Sequence, residues 1–132
     1  MITRLDETLG FYENALRLRS QRQQLLASNI ANADTPHYKA RDMNFAQAMQ
    51  DALGRRQSSV AMAQTHPQHL VAEASLALPY EFERQALQNS QDGNTVDMDV
   101  ERNAFTENAL RYETAVSLTH DQIKNVLNVL QG

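Results

Sequence analysis

The chain of 132 residues has no cysteine and no tryptophan, only three prolines and only four glycines. Without cysteine, a disulfide framework, a thiolate metal site and cysteine nucleophilic catalysis are all excluded. So few helix breakers leave long stretches free to run as uninterrupted helix. Basic charge is also in short supply, with 12 Lys and Arg against 16 Asp and Glu, a net of −4. A uniformly basic surface is thereby excluded, and no nucleic-acid partner is expected. No apolar run approaches the roughly 20 residues of a membrane span, and Met1 opens onto Ile-Thr-Arg-Leu-Asp-Glu rather than a basic stretch and an apolar core. The expectation is a chain with no direct transmembrane anchor and no cleaved signal peptide.

What is present is heptad patterning at both ends. Alternating steps of four and three from Leu5 reach Leu5, Leu9, Tyr12, Leu16, Arg19, Gln23, Leu26, Ile30 and Ala33. A second row beside it holds Phe11, Ala15, Leu18, Arg22 and Leu25. One long helix is expected, ending near Ala33, because Pro36 forces Thr35 out of the α region and Asn32 and Asp34 tolerate turns. The C-terminal seam is more apolar, running through Phe105, Ala109, Tyr112, Val116, Thr119, Ile123, Val126 and Leu130. Asp92-Gly93-Asn94 reads as a turn before it, and Asp97, Asp99 and Glu101 place negative charge where a helix start favours it. A helix from about Asp97 to Leu130 follows.

Helices this long cannot close a core within so short a chain, because those of compact domains average about 11 to 12 residues. They must pair with each other, with other copies, or with both. Charge favours pairing of the ends: residues 1–41 hold six basic and four acidic side chains, whereas residues 92–132 hold three and seven. Screening limits this to a bias. The predicted fold is mainly α: long heptad-patterned terminal helices paired as a coiled-coil-like unit around a largely irregular middle. The divisions are an N-terminal helix over 1–33, a middle segment over 34–91 and a C-terminal unit over 92–132. In the middle, a short helix on Phe45, Met49 and Leu53 precedes Gly54, and Leu76 to Phe82 suits a short strand.

Chemistry finds little support. His66 and His69 flank Pro67 with no third ligand nearby in sequence, so no metal is expected. Asp92 to Glu101 fails as a calcium loop, with Val96 and Asp97 where an oxygen ligand and glycine are required. His120 is followed by Asp121-Gln122-Ile123-Lys124, a loose match to a phosphoacceptor helix that puts lysine one residue late and lacks glycine. No phosphate loop, nucleophile elbow or paired-carboxylate arrangement stands out, so neither catalysis nor a cofactor is expected. The 13 Gln and 10 Asn suit a large polar contact surface instead. Asn29 and Asn32, three apart near the helix end, can bond the main chain of a neighbour or of the following turn.

The run Ser28-Asn29-Ile30-Ala31-Asn32-Ala33-Asp34-Thr35-Pro36, ending in Tyr38, resembles the signature of the bacterial flagellar basal-body rod proteins. Tyr38-Lys39-Ala40-Arg41-Asp42 with Phe45, then Thr65-His66 and His69-Leu70, and then Asp92 to Asp99 resemble the proximal-rod members of that family most. Residues 54–64 and 71–91 match no motif of it. The resemblance implies a structural, non-enzymatic subunit of the rod in the periplasm, exported by the flagellar type III apparatus without a cleaved signal. It implies that the terminal helices form a coiled-coil-like inner layer against other copies, a FliE-type adaptor and other rod subunits such as FlgC. Read from the residues alone, two alternatives stay open: a histidine-phosphotransfer signalling bundle working through His120, and a helical adaptor that never polymerises.

Overall fold

A computed structural model describes residues 2–57, 80–87 and 90–132. Its elements in chain order are α1 (Ile2–Ala31), β1 (Arg41–Met43), α2 (Phe45–Gln57), β2 (Glu81–Glu83) and α3 (Met98–Gln131). The fold is mainly helical, with the two long terminal helices packed on each other and a short helix between them.

α1 runs straight through Gly10 and stops at Ala31, two residues before the expected Ala33. Asn32, Ala33 and Asp34 form a turn. α2 likewise passes through Gly54 to Gln57, so that glycine interrupts nothing. The cost of one helical glycine is about 1 kcal/mol relative to alanine, small beside the packing of the helix that holds it. α3 starts where its charges suggested: the Asp97 carboxylate caps it by accepting from the N–H groups of Asp99 (3.0 Å) and Val100 (3.3 Å).

The expected strand over Leu76 to Phe82 is displaced: β2 covers Glu81–Glu83, and residues 76–79 lie outside the described segments. Its partner β1, which the sequence did not announce, pairs with it antiparallel, Arg41 opposite Glu83 and Met43 opposite Glu81. Three-residue strands carry too little pattern to be seen.

α1 has two working faces. The row Ala15, Leu18 and Leu25 packs on Met43, Ala48, Met49 and Tyr80, with Phe45, Ala52 and Leu53 closing the rim of this core. The seam row on the adjacent face, including Arg19 and Gln23, meets α3. The helices run antiparallel, since Asn29 bonds Glu101 while Arg19 and Gln23 bond Asn108.

Candidate functional site

Two of the segments that carry sequence motifs, Ser28 to Asp42 and Asp92 to Asp99, converge at one end of the helix pair, where α1 ends and α3 begins; Thr65 to Leu70 lies outside the described residues. α1 leaves unpaired carbonyls in its last turn, as every helix must. The turn that follows takes up three of them, Asn32 N–H donating to Ser28 O and Asn29 O and Ala33 N–H to Ile30 O. The buried Asn94 side chain holds that turn: its amide donates to the carbonyls of Asn32 (2.9 Å), Ala33 (2.9 Å) and Thr35 (2.8 Å), and its oxygen accepts from Val96 N–H (2.8 Å). The strands of linker on either side are laced together, His37 N–H to Asp92 O, Thr95 N–H to Tyr38 O, and Ala40 N–H to Thr95 Oγ1. Gly93 lies here with φ +73°, and a Cβ on it would stand 2.9 Å from His37 Nδ1, so this position requires glycine on both grounds.

Asn29 is completely buried and fully bonded. Its amide donates to Arg41 O (2.7 Å) and Glu101 Oε2 (3.0 Å), while its oxygen accepts from Arg41 N–H (3.0 Å) and the Tyr38 hydroxyl (3.3 Å). Ser28 Oγ shares a hydrogen bond with the same Tyr38 hydroxyl at 3.1 Å. Asn32 donates back to Ser28 O (2.8 Å) and accepts from Thr35 Oγ1 (3.1 Å). Asn29 therefore bonds the main chain of a packed segment, one of the two expected arrangements, whereas Asn32 reaches back to the preceding turn of its own helix rather than on to the following one.

A charged chain extends from Asn29. Arg84 donates to Glu101 Oε1 and to Asp42 Oδ2, each at 2.5 Å, and Arg22 grips both oxygens of Asp42 at 2.9 and 3.1 Å. Burial disfavours the Asp42 carboxylate, but hydrogen bonds from Arg22, Arg84 and Met43 N–H outweigh it and hold its pKa below the ordinary carboxylate range. The bond to Asp42 in turn raises Arg22 above its ordinary value. Two cations and two anions alternate through α1, β1, the segment after β2, and α3, so the junction is both balanced and cross-linked. Such a network fixes geometry, and removing one member strands a buried charge.

Farther along α3 the predicted seam divides. Phe105, Ala109, Thr119 and Val126 are partly covered; Tyr112, Val116, Ile123 and Leu130 are exposed, Val116 by 44%, Ile123 by 46% and Leu130 by 77%. The two residues of α3 that are wholly buried, Glu101 and Asn108, lie outside that seam and are polar. Asn108 donates to Arg19 O (2.8 Å) and Gln23 Oε1 (2.7 Å) and accepts from the Arg19 guanidinium at 3.4 Å. On α1, Leu26 is buried, and Leu5, Leu9, Tyr12, Leu16 and Ile30 are half-buried. Of the remaining motif residues, Ala31, Thr35 and Pro36 are exposed.

Asp42, Arg84, Glu101 and Asn108 did not emerge from the sequence as a unit. Asp42 stood inside a recognised motif and Glu101 passed as a helix-start charge. The spacing of seven between Glu101 and Asn108 was the available signal. Arg84 gave none. His120 is exposed and lies 3.7 Å from Asp121, and His66 and His69 fall outside the described residues. Among the described residues, no three His, Asp or Glu side chains gather as a metal site, and no helix is long and apolar enough to cross a membrane.

A family model described as flagella basal body rod protein matches residues 9–39, which span most of α1 and the motif turn. Over the whole chain, identity is 47% to the flagellar basal body rod protein FlgB of Escherichia coli strain K12, with 99% of that relative covered. The FlgB proteins of Salmonella typhimurium and Aeromonas hydrophila are 46% and 36% identical over the full chain, covering 99% and 98% of their lengths. With identity at that level from end to end, the chain belongs to the flagellar basal body rod proteins, among those of FlgB type.

Proposed function

We propose that this structural subunit of the rod polymerises through its terminal helices, without catalysis, and that the junction of α1 and α3 sets their mutual geometry. The observation that carries the reading is the apolar stripe of Val116, Ile123 and Leu130, which α3 turns outward while its buried positions are polar. Burying an aliphatic side chain is worth roughly 1.5 to 3 kcal/mol, so this stripe is a reserve of stability that only a neighbour releases. Contacts made head to tail and not closing into a ring generate a filament.

In this reading residues 1–33 and 92–132 are the assembly units, and residues 34–91 supply the motif turn and the β1–β2 pair that braces them. The neighbours are other copies, a FliE-type adaptor and further rod subunits such as FlgC. Delivery through the flagellar export apparatus suits a chain whose long helices gain much of their stability after assembly. Ile123→Asp tests it in a strain lacking the native protein. The variant should be made and exported yet leave cells non-motile, whereas Asn125→Asp, also on the exposed surface of α3, should swim. Normal swimming of the Ile123→Asp strain would overturn the reading.

A further inference from the structure

An apolar heptad pattern repeats every seven residues, so by itself it fits α1 equally well after a slip of one heptad. α3 carries such a pattern, yet two polar side chains, seven residues apart on its inward face, break the repeat. Glu101 accepts from Asn29 and Arg84, and Asn108 bonds the Arg19 carbonyl, the Arg19 guanidinium and Gln23 Oε1. Both side chains are completely buried. A slip in one direction would bring Ala115 to the place of Asn108, leaving Gln23 and Arg19 without their partner, and Asn108 to the place of Glu101, leaving Arg84 without its carboxylate. A slip in the other direction would carry Glu101 away from Asn29 and Arg84, and Asn108 away from Gln23 and the Arg19 carbonyl. Buried polar groups have their best-attested role in fixing register, at some cost in stability.

We propose that Asn108, with Glu101 one heptad before it, is the positioning residue that fixes the antiparallel register of α3 on α1. Register in turn sets the level at which the outward stripe meets a neighbour, a consequence that rests on the assembly reading above. The register itself does not rest on that reading and is measured in the purified chain.

The absence of native cysteine makes the experiment clean. Ser20 and Ala109 line one groove between the helices, whereas Arg102 and Val116 lie one heptad to either side of Ala109. Ser20→Cys is combined in turn with Ala109→Cys, Val116→Cys and Arg102→Cys, and each pair is treated with a short bis-maleimide. In the parent chain the 20–109 pair should link at least tenfold faster than either slipped pair. With Asn108→Leu, helicity by circular dichroism should persist while that preference falls at least fivefold. Asn108→Gln, which keeps the amide, should retain most of it. Asn108→Ala serves as the second variant, with the same expected fall, in case leucine is too bulky. A preference unchanged in Leu and Ala variants would overturn the proposal, as would equal linking rates in the parent. Loss of helix in both variants would also overturn it, by showing that Asn108 holds the fold rather than its register.

Discussion

At the junction end of the molecule, Asn29, Asp42, Asn94 and Glu101 are buried and each has its hydrogen-bond partners. At the opposite end, α3 exposes Ile123, Leu127, Val129 and Leu130. A chain that folded for itself alone would distribute these groups the other way round, since burying polar atoms gains little and exposing aliphatic ones forgoes the hydrophobic contribution. The contrast separates two regions along one helix pair: a bonded junction that fixes geometry, and a far end whose exposed apolar groups the assembly reading gives to neighbours.

The sharpest way to break that contrast is to remove the shared cation. Arg84→Met leaves Asp42 and Glu101 buried with one arginine between them, and should cost about 3 to 5 kcal/mol, read as the shift in a guanidinium unfolding curve. Asn94→Ala should cost less, about 1 to 3 kcal/mol, because it strands carbonyls of the turn after α1 that water can partly reach. Its melting curve should move while the outward stripe is untouched. Acid gives a third effect. Because the folded pKa of Asp42 lies below its unfolded value of about 3.9, its stabilising contribution is complete above that value and is lost as pH falls through the folded pKa. Asp42→Asn should therefore be less stable than the parent at neutral pH, with the gap closing in acid titrations.

The other end should respond in the opposite manner. Ile123→Asp should change the stability of the lone chain by no more than about 0.5 kcal/mol while abolishing motility, so its effect appears only where neighbours do. The smallest effect is expected from His120→Ala. Its side chain is exposed with only a loose approach to Asp121, so swimming in soft agar should match the parent.

The long helices, their approximate ends and the Asp92 to Asn94 turn were legible in the sequence, because heptad spacing, Pro36 and the acidic start of α3 are local signals. The outward side of α3 was only half legible. Stepping from Phe105 through Ala109 and Val116 followed the most apolar line, whereas the helix turns partly toward Asn108, where polar bonds outweigh apolar content. The network was illegible for a related reason: Asp42, Arg84 and Glu101 are far apart in sequence, and only the β1–β2 pairing brings Arg84 to the other two. Asn94 looked like an ordinary turn residue. Nothing in a linear string reveals that its amide would reach back to the turn that follows α1.

The clamp at Asn94 also has a mechanical meaning. The end of α1 and the start of α3 are fastened here and the helices also pack on each other farther along, so the pair is a two-pronged fork held most tightly at its handle. The prong formed by α1 is 30 residues, about 45 Å at 1.5 Å per residue. A rotation of about 1° at the handle therefore moves the tip by roughly 0.8 Å on that length, enough to disturb a close-packed contact. A small loosening at Asn94, Asn29 or Arg84 would become misalignment at the tips, and on the assembly reading proposed above, neighbours seated there would brace the fork away from its handle.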